Sequence, residues 1–123
     1  MAFGIWRLGF RGVTTDSQNT LVPTTVGELA DAVRASPRVI AVGAGTKPRL
    51  SKVADEYLRI STARLSGIVD YEPSEFTFTA LAGTPLKTIV AALSERGQYL
   101  PFDPMLADAG ARIGGTVAAG LSG

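Results

Sequence analysis

Apolar positions recur along this chain with two different periods, and the alternation between them predicts its elements. Val26, Leu29, Ala30 and Val33 fall at i, i+3, i+4 and i+7, the stripe of a helix facing a core. Thr25-Val-Gly-Glu28 just ahead of it reads as a capping box, with Glu28 reaching back over the first turn. Ser36-Pro37 closes the helix near Ala35, since a proline disfavours helix in the residue before it. The β-branched run at residues 38–42 predicts a strand, and residues 57–60 and 67–71 predict two more. Glu72-Pro-Ser-Glu75 reads as a turn, after which Phe76-Thr-Phe-Thr-Ala80 alternates apolar and polar, as a half-buried strand pairing back in a hairpin does. A second helix is predicted from Thr84, with Pro85 in its first turn, Leu86, Ile89, Val90 and Leu93 on one face, and Gly97 as a left-handed cap. Pro101-Phe-Asp-Pro104 is stiff and extended. Residues 113–120 read as a glycine turn feeding a helix of small residues.

Composition narrows what such a chain can do. Its 123 residues are about one domain, and 12 basic against 11 acidic side chains leave a net charge of +1. That balance is neither a nucleic-acid-binding arm nor an acidic tail, so no nucleic-acid partner is expected. The chain has no cysteine and no histidine. Disulfides, thiolate metal sites, a thiol nucleophile and a Ser-His-Asp triad are therefore excluded from it. Chemistry is left to carboxylates, Lys, Tyr, Ser/Thr or a cofactor. No stretch approaches the roughly 20 apolar residues of a membrane span, and residues 1–12 lack the cleavage pattern of a signal peptide, so a cytoplasmic protein is expected. Residues 1–21 read as a tail. Trp6 and Phe10 give it a second reading, as a segment that docks a partner.

Glycine, at 14 residues, is concentrated where it has a use. Gly43-Ala44-Gly45-Thr46-Lys47 follows a predicted strand directly. Bare backbone there lets several N–H groups approach an anion, with a hydroxyl from Thr46 and a charge from Lys47, so a phosphate or diphosphate is one reading and an ordinary strand-end turn the other. A Walker loop is ruled out because Pro48 follows Lys47, and a Rossmann fingerprint because Pro48 stands where its third glycine belongs. Gly114-Gly115 opens the last predicted helix. Its amides favour an anion there, although tight packing of helix on backbone explains the same glycines.

The order of the pieces is more specific than any of them. Pro23-Thr-Thr-Val-Gly-Glu-Leu-Ala-Asp-Ala-Val, Ala41-Val-Gly-Ala-Gly-Thr-Lys-Pro, Leu65-Ser-Gly-Ile-Val-Asp-Tyr-Glu-Pro-Ser-Glu, Ala82-Gly-Thr-Pro-Leu, Leu100-Pro-Phe-Asp-Pro and Ile113-Gly-Gly-Thr-Val-Ala-Ala-Gly-Leu-Ser-Gly occur in one succession. Over residues 22–123 this resembles the FAD-binding domain of the vanillyl-alcohol oxidase / p-cresol methylhydroxylase (PCMH-type) flavoproteins, in particular the glycolate oxidase branch. The resemblance implies an α+β fold: a small βαβ-like subdomain followed by a mixed sheet with flanking helices. It implies FAD as cofactor, with Gly43, Ala44, Gly45, Thr46 and Lys47 on the diphosphate and Ala82 and Gly83 in a turn near the same cleft. Pro101 and Asp103 would line the flavin cleft, and Gly114, Gly115, Val117, Ala118, Gly120 and Ser122 would pack along the cofactor.

Ala44 departs from the glycine many members have at that position. With no His or Cys to form a link, the FAD is expected to be non-covalent unless a tyrosine is used. The resemblance also implies an oxidoreductase of 2-hydroxy acids, glycolate-like, with other oxidase subunits as partners. The family's cofactor domain continues through further strands and a cap, so residues 22–123 are expected to be a C-terminally incomplete piece of it. A different class also fits, a non-catalytic interaction subunit that keeps part of the flavoprotein fold. No catalytic base is identified. Asp103 is the nearest by position, and a carboxylate between prolines serves structure or cofactor orientation more readily than proton transfer.

Overall fold

The computed structural model describes residues 14–16, 20–46 and 56–120. Trp6, Phe10, Lys47 and Ser122 lie outside them. Two strands come first, β1 (Thr14–Asp16) and β2 (Thr20–Val22), followed by α1 (Val26–Ala35), β3 (Val39–Val42) and β4 (Leu58–Ser61). The sheet order is β1-β2-β4-β3, with β1 antiparallel to β2 and β4 parallel to both of its neighbours. The segment expected to be a tail therefore contributes two strands, and Leu21 of β2 is buried.

Central β4 sets the core of this unit. Leu58 and Ile60 point to one face and are buried with Leu21 and Ala32, and Leu29 and Val39 pack around them. Alternate positions Arg59 and Ser61 take the other face. The helix meets the sheet through Leu29 and Ala32, three residues apart and so on one side. The predicted stripe is turned relative to this, for Val26 and Val33 are exposed. Packing chose the smallest apolar side chain for the closest approach, and the periodic pattern does not register size.

The N-terminus of α1 is capped nearly as expected. The Thr25 hydroxyl accepts the Glu28 N–H at 3.1 Å, but the Glu28 carboxylate reaches Thr24 rather than Thr25, accepting its N–H at 2.7 Å and its hydroxyl at 2.9 Å. These bonds, the backbone N–H foremost, hold the Glu28 carboxyl below its ordinary 4.5. A carboxyl that ionises more readily in the folded chain adds stability above its unfolded value and loses it as the pH falls through the folded one. The melting temperature is expected to drop on acidification below pH 4.5, with that limb flattened in Glu28→Gln. Acid limbs that superimpose for the two proteins would contradict this role of the cap.

The second unit is a hairpin with helices against it. β5 (Ile68–Glu72) and β6 (Thr77–Ala80) pair antiparallel, with a bulge between Ile68 and Asp70. A 3₁₀ turn (Pro73–Glu75) and Phe76 in the left-handed region connect them. α2 (Leu86–Ser94) buries Leu86, Ile89 and Leu93 together with Leu100 and Ala111, and Tyr71 and Phe78 of the hairpin pack on this core. Val90, expected on the same face, is exposed.

Gly97 takes the left-handed cap (φ +67°), and the Gln98 N–H returns to the Leu93 carbonyl at 2.9 Å. Gln98 then ties the helix end to the hairpin: its amide oxygen accepts the Tyr71 hydroxyl and its NH₂ donates to the Pro73 carbonyl, both at 2.7 Å. The last helix, α3 (Ile113–Ala119), holds both expected glycines inside its first turn and ends at Gly120 (φ +62°). No helix among the described residues is long and apolar enough to cross a membrane.

Candidate functional site

Three turns are stitched together where the two units meet. The first follows β3. Val42 accepts the Thr62 N–H at 3.0 Å, which seats the start of the 43–46 loop beside the turn after β4. The second is that turn itself, residues 62–65. The third, residues 82–84, lies against it so closely that a Cβ on Gly83 would stand 1.8 Å from the Thr62 carbonyl oxygen, and the Gly83 N–H donates to Leu65 at 2.8 Å.

The start of α3 docks on that third turn. Gly114 donates to the Ala82 carbonyl at 2.9 Å and Ile113 to Thr84 at 3.0 Å. A Cβ on Gly114 would meet the Ala82 Cβ at 2.7 Å. Main-chain contacts thus run from Val42, at the head of loop 43–46, through the turn 62–65 to the turn 82–84 and on to α3.

The glycines within this cluster divide by use. Gly83 and Gly114 are glycine because backbone passes over them. Their N–H groups are committed to carbonyls, so the packing explanation holds for Gly114 and its amide is not offered to an anion. Gly43 and Gly45 are different. A Cβ at either meets nothing within 4 Å among the described residues, and both are exposed. Gly45 has φ +68°, which requires glycine, whereas Gly43 does not.

Ala44 is exposed between them and Thr46 is half-buried. On α3 the exposed positions are Gly115, Val117 and Ala118, Val117 being 69% accessible, so small or apolar side chains face outward. Ala82, Pro101 and Asp103 are exposed as well. Bare backbone in the 43–46 loop, without a carboxylate in it, together with this low apolar face, suits a dinucleotide that carries a diphosphate and flat rings.

Two residues hold the cluster, one given another role by the sequence pattern and one not singled out by it. Thr84, expected to cap α2, instead is fully buried. Its hydroxyl accepts the Gly67 N–H at 2.9 Å and reaches the carbonyls of Leu81 (2.6 Å) and Gly67 (3.0 Å) with its single proton. The N-cap position of α2 belongs to Pro85. Arg112, the residue before α3, sends Nη1 to the carbonyls of Gly83 and of Ala63, the latter at 3.5 Å. A short apolar-flanked arginine carries no sequence sign of such a role.

Comparison with known proteins gives the family. Residues 17–123 match the FAD binding domain family, and the chain belongs to that family. Glycolate oxidase subunit GlcE of Escherichia coli (strain K12) is 53% identical over 57 residues, which are 46% of this chain and 16% of that protein. Alkyldihydroxyacetonephosphate synthase shares the fold, with a TM-score of 0.62 at 20% identity over 80% of this chain and 20% of its own. The chain thus spans a fifth or less of the length of either relative. The α+β, PCMH-type fold and the FAD cofactor expected from the sequence are those of this family.

Proposed function

We propose that the chain is the FAD-holding part of an oxidoreductase that acts on a 2-hydroxy acid of the glycolate type, working with other subunits of such an oxidase. The observation that carries the reading is the loop at the end of β3, where backbone at residues 43–46 is exposed and unencumbered and follows Val42, whose carbonyl is bonded to the turn that packs on Gly83. In this reading the loop N–H groups and the Thr46 hydroxyl hold the diphosphate, with Lys47 adding charge. Gly115, Val117, Ala118 and Gly120 lie along the cofactor, with Ser122 beyond them, and Pro101 and Asp103 border the flavin. Ala82, Gly83 and Gly114 fix the wall they form. The identity with a glycolate oxidase subunit supports the substrate class. When bound, the flavin supplies acceptance of a hydride from the substrate carbon. The residues of this chain bind and orient it, and none of them is assigned as the base.

The protein purified in its native assembly is expected to show flavin absorbance bands that bleach on anaerobic addition of glycolate and persist with acetate, which has no hydroxyl to oxidise. Bands indifferent to every 2-hydroxy acid would overturn the substrate class. A colourless protein that gains no thermal stability from added FAD would overturn the cofactor role, because saturation at a hundred times Kd adds about 2.7 kcal/mol to the folded state.

A further inference from the structure

We infer that Arg112 is a positioning residue of this site: its guanidinium clamps the turn after β4 to the turn that carries Gly83, and through them sets the start of α3. The inference rests on the reading of these turns as the FAD site. Three observations support it. Arg112 Nη1 donates to the Gly83 carbonyl and reaches that of Ala63, so one side chain bridges residues 29 and 49 positions away in sequence. The backbone on either side of Arg112 is pinned to the same region, with Leu86 donating to Ala111 and Ile113 to Thr84, both at 3.0 Å. Finally, its charge has no carboxylate partner among the described residues, and Nε is buried without a hydrogen-bond partner.

A buried guanidinium donor left unpaired is costly, and a lysine or an apolar side chain would avoid that cost. What the side chain provides is a charged nitrogen, Nη1, whose two hydrogens reach two carbonyls at once. Those carbonyls belong to different turns, so this one nitrogen fixes the spacing of the turns on which a cofactor would sit. Balanced by carbonyl dipoles rather than by a carboxylate, its positive charge also remains available to favour a nearby diphosphate.

The test uses the full chain and compares wild type, Arg112→Ala and Arg112→Lys. In the protein without FAD, amide exchange at Gly83 and Gly114 is expected to rise about tenfold or more in Arg112→Ala, as loss of a charged hydrogen bond implies, while Leu58 and Ile60 in β4 keep their protection. The dissociation constant for FAD, followed by flavin fluorescence, is expected to rise about tenfold or more in the same variant, with part of it recovered in Arg112→Lys. Unchanged exchange at Gly83 and Gly114 would overturn the clamp. Faster exchange with FAD affinity equal to wild type would overturn its link to the site, as would a lysine variant no better than alanine. If Arg112→Ala does not fold, Arg112→Gln, which retains a neutral donor, takes its place under the same criteria. Failure of the wild type to bind FAD refutes the cofactor reading, and the exchange measurement still decides the clamp.

Discussion

Gly83→Ala is expected to cost the chain about 3 kcal/mol or more, the upper range for overpacking a close contact. The added carbon would sit 1.8 Å from the Thr62 carbonyl oxygen, 2.7 Å from that of Leu65 and 2.8 Å from the Thr62 carbonyl carbon. All three are main-chain atoms, so no rotamer change relieves the clash and the turns must separate. Separation in turn sacrifices the Gly83 N–H bond to Leu65 and the Arg112 bond to the Gly83 carbonyl. Urea denaturation measures the loss directly. Gly115→Ala is the control, because a Cβ there meets nothing within 4 Å and the position is helical and exposed. It is expected to stabilise the chain by about 0.5–1 kcal/mol through the entropy of the unfolded state. Equal midpoints for Gly83→Ala and wild type would show that the two turns do not touch.

Gly43→Val is expected to leave the fold intact and to weaken FAD binding by about a hundredfold, or roughly 2.7 kcal/mol. The position has an ordinary φ and open space around it among the described residues, so a branched side chain costs the protein itself within about 0.5 kcal/mol. A diphosphate that needs the main chain bare at that point would meet the new methyl groups instead. The choice of position matters. Gly45→Val would also weaken binding, but Gly45 has φ +68°, so its loss would mix backbone strain with obstruction of the ligand. Calorimetric titration with FAD alongside a thermal melt separates the two quantities for Gly43→Val. Wild-type affinity in that variant would remove the 43–46 loop from the site.

Much of this architecture was legible because its signals are local. The cap at Thr25, the stop at Ser36-Pro37, the alternating strand at β6 and the left-handed Gly97 each depend on residues within a turn or two of one another. The parts that were missed depend on distant ones. β1 and β2 are three residues each, too short and too rich in threonine to show a period, and β2 exists as a strand because β4, nearly forty residues later, pairs with it. The face of α1 was misjudged for a similar reason, since Ala32 is buried by the sheet it happens to meet.

The same distinction applies at the site. Glycines in the 43–46 loop could be read as open backbone from the strand before them. Gly83 and Gly114 look identical in sequence, yet they are glycine because Thr62 and Ala82 press on them. Thr84 beside Pro85 has the appearance of a helix cap and instead ties Gly67 to Leu81. Arg112 has no local signal at all, its partners being 29 and 49 residues away. The succession of motifs supplied what no single spacing did, namely the cofactor.

That the 43–46 loop and the outward face of α3 hold one ligand is the claim on which the rest stands, and backbone amide shifts on titration of the labelled chain with FAD test it most directly. The N–H signals of Gly43, Ala44, Gly45 and Thr46 are expected to move together with those of Gly115 and Ala118, at one common dissociation constant, while those of Val33 and Ala35 at the far end of α1 stay in place. Shifts confined to one of the two groups, or shared by neither, would contradict it.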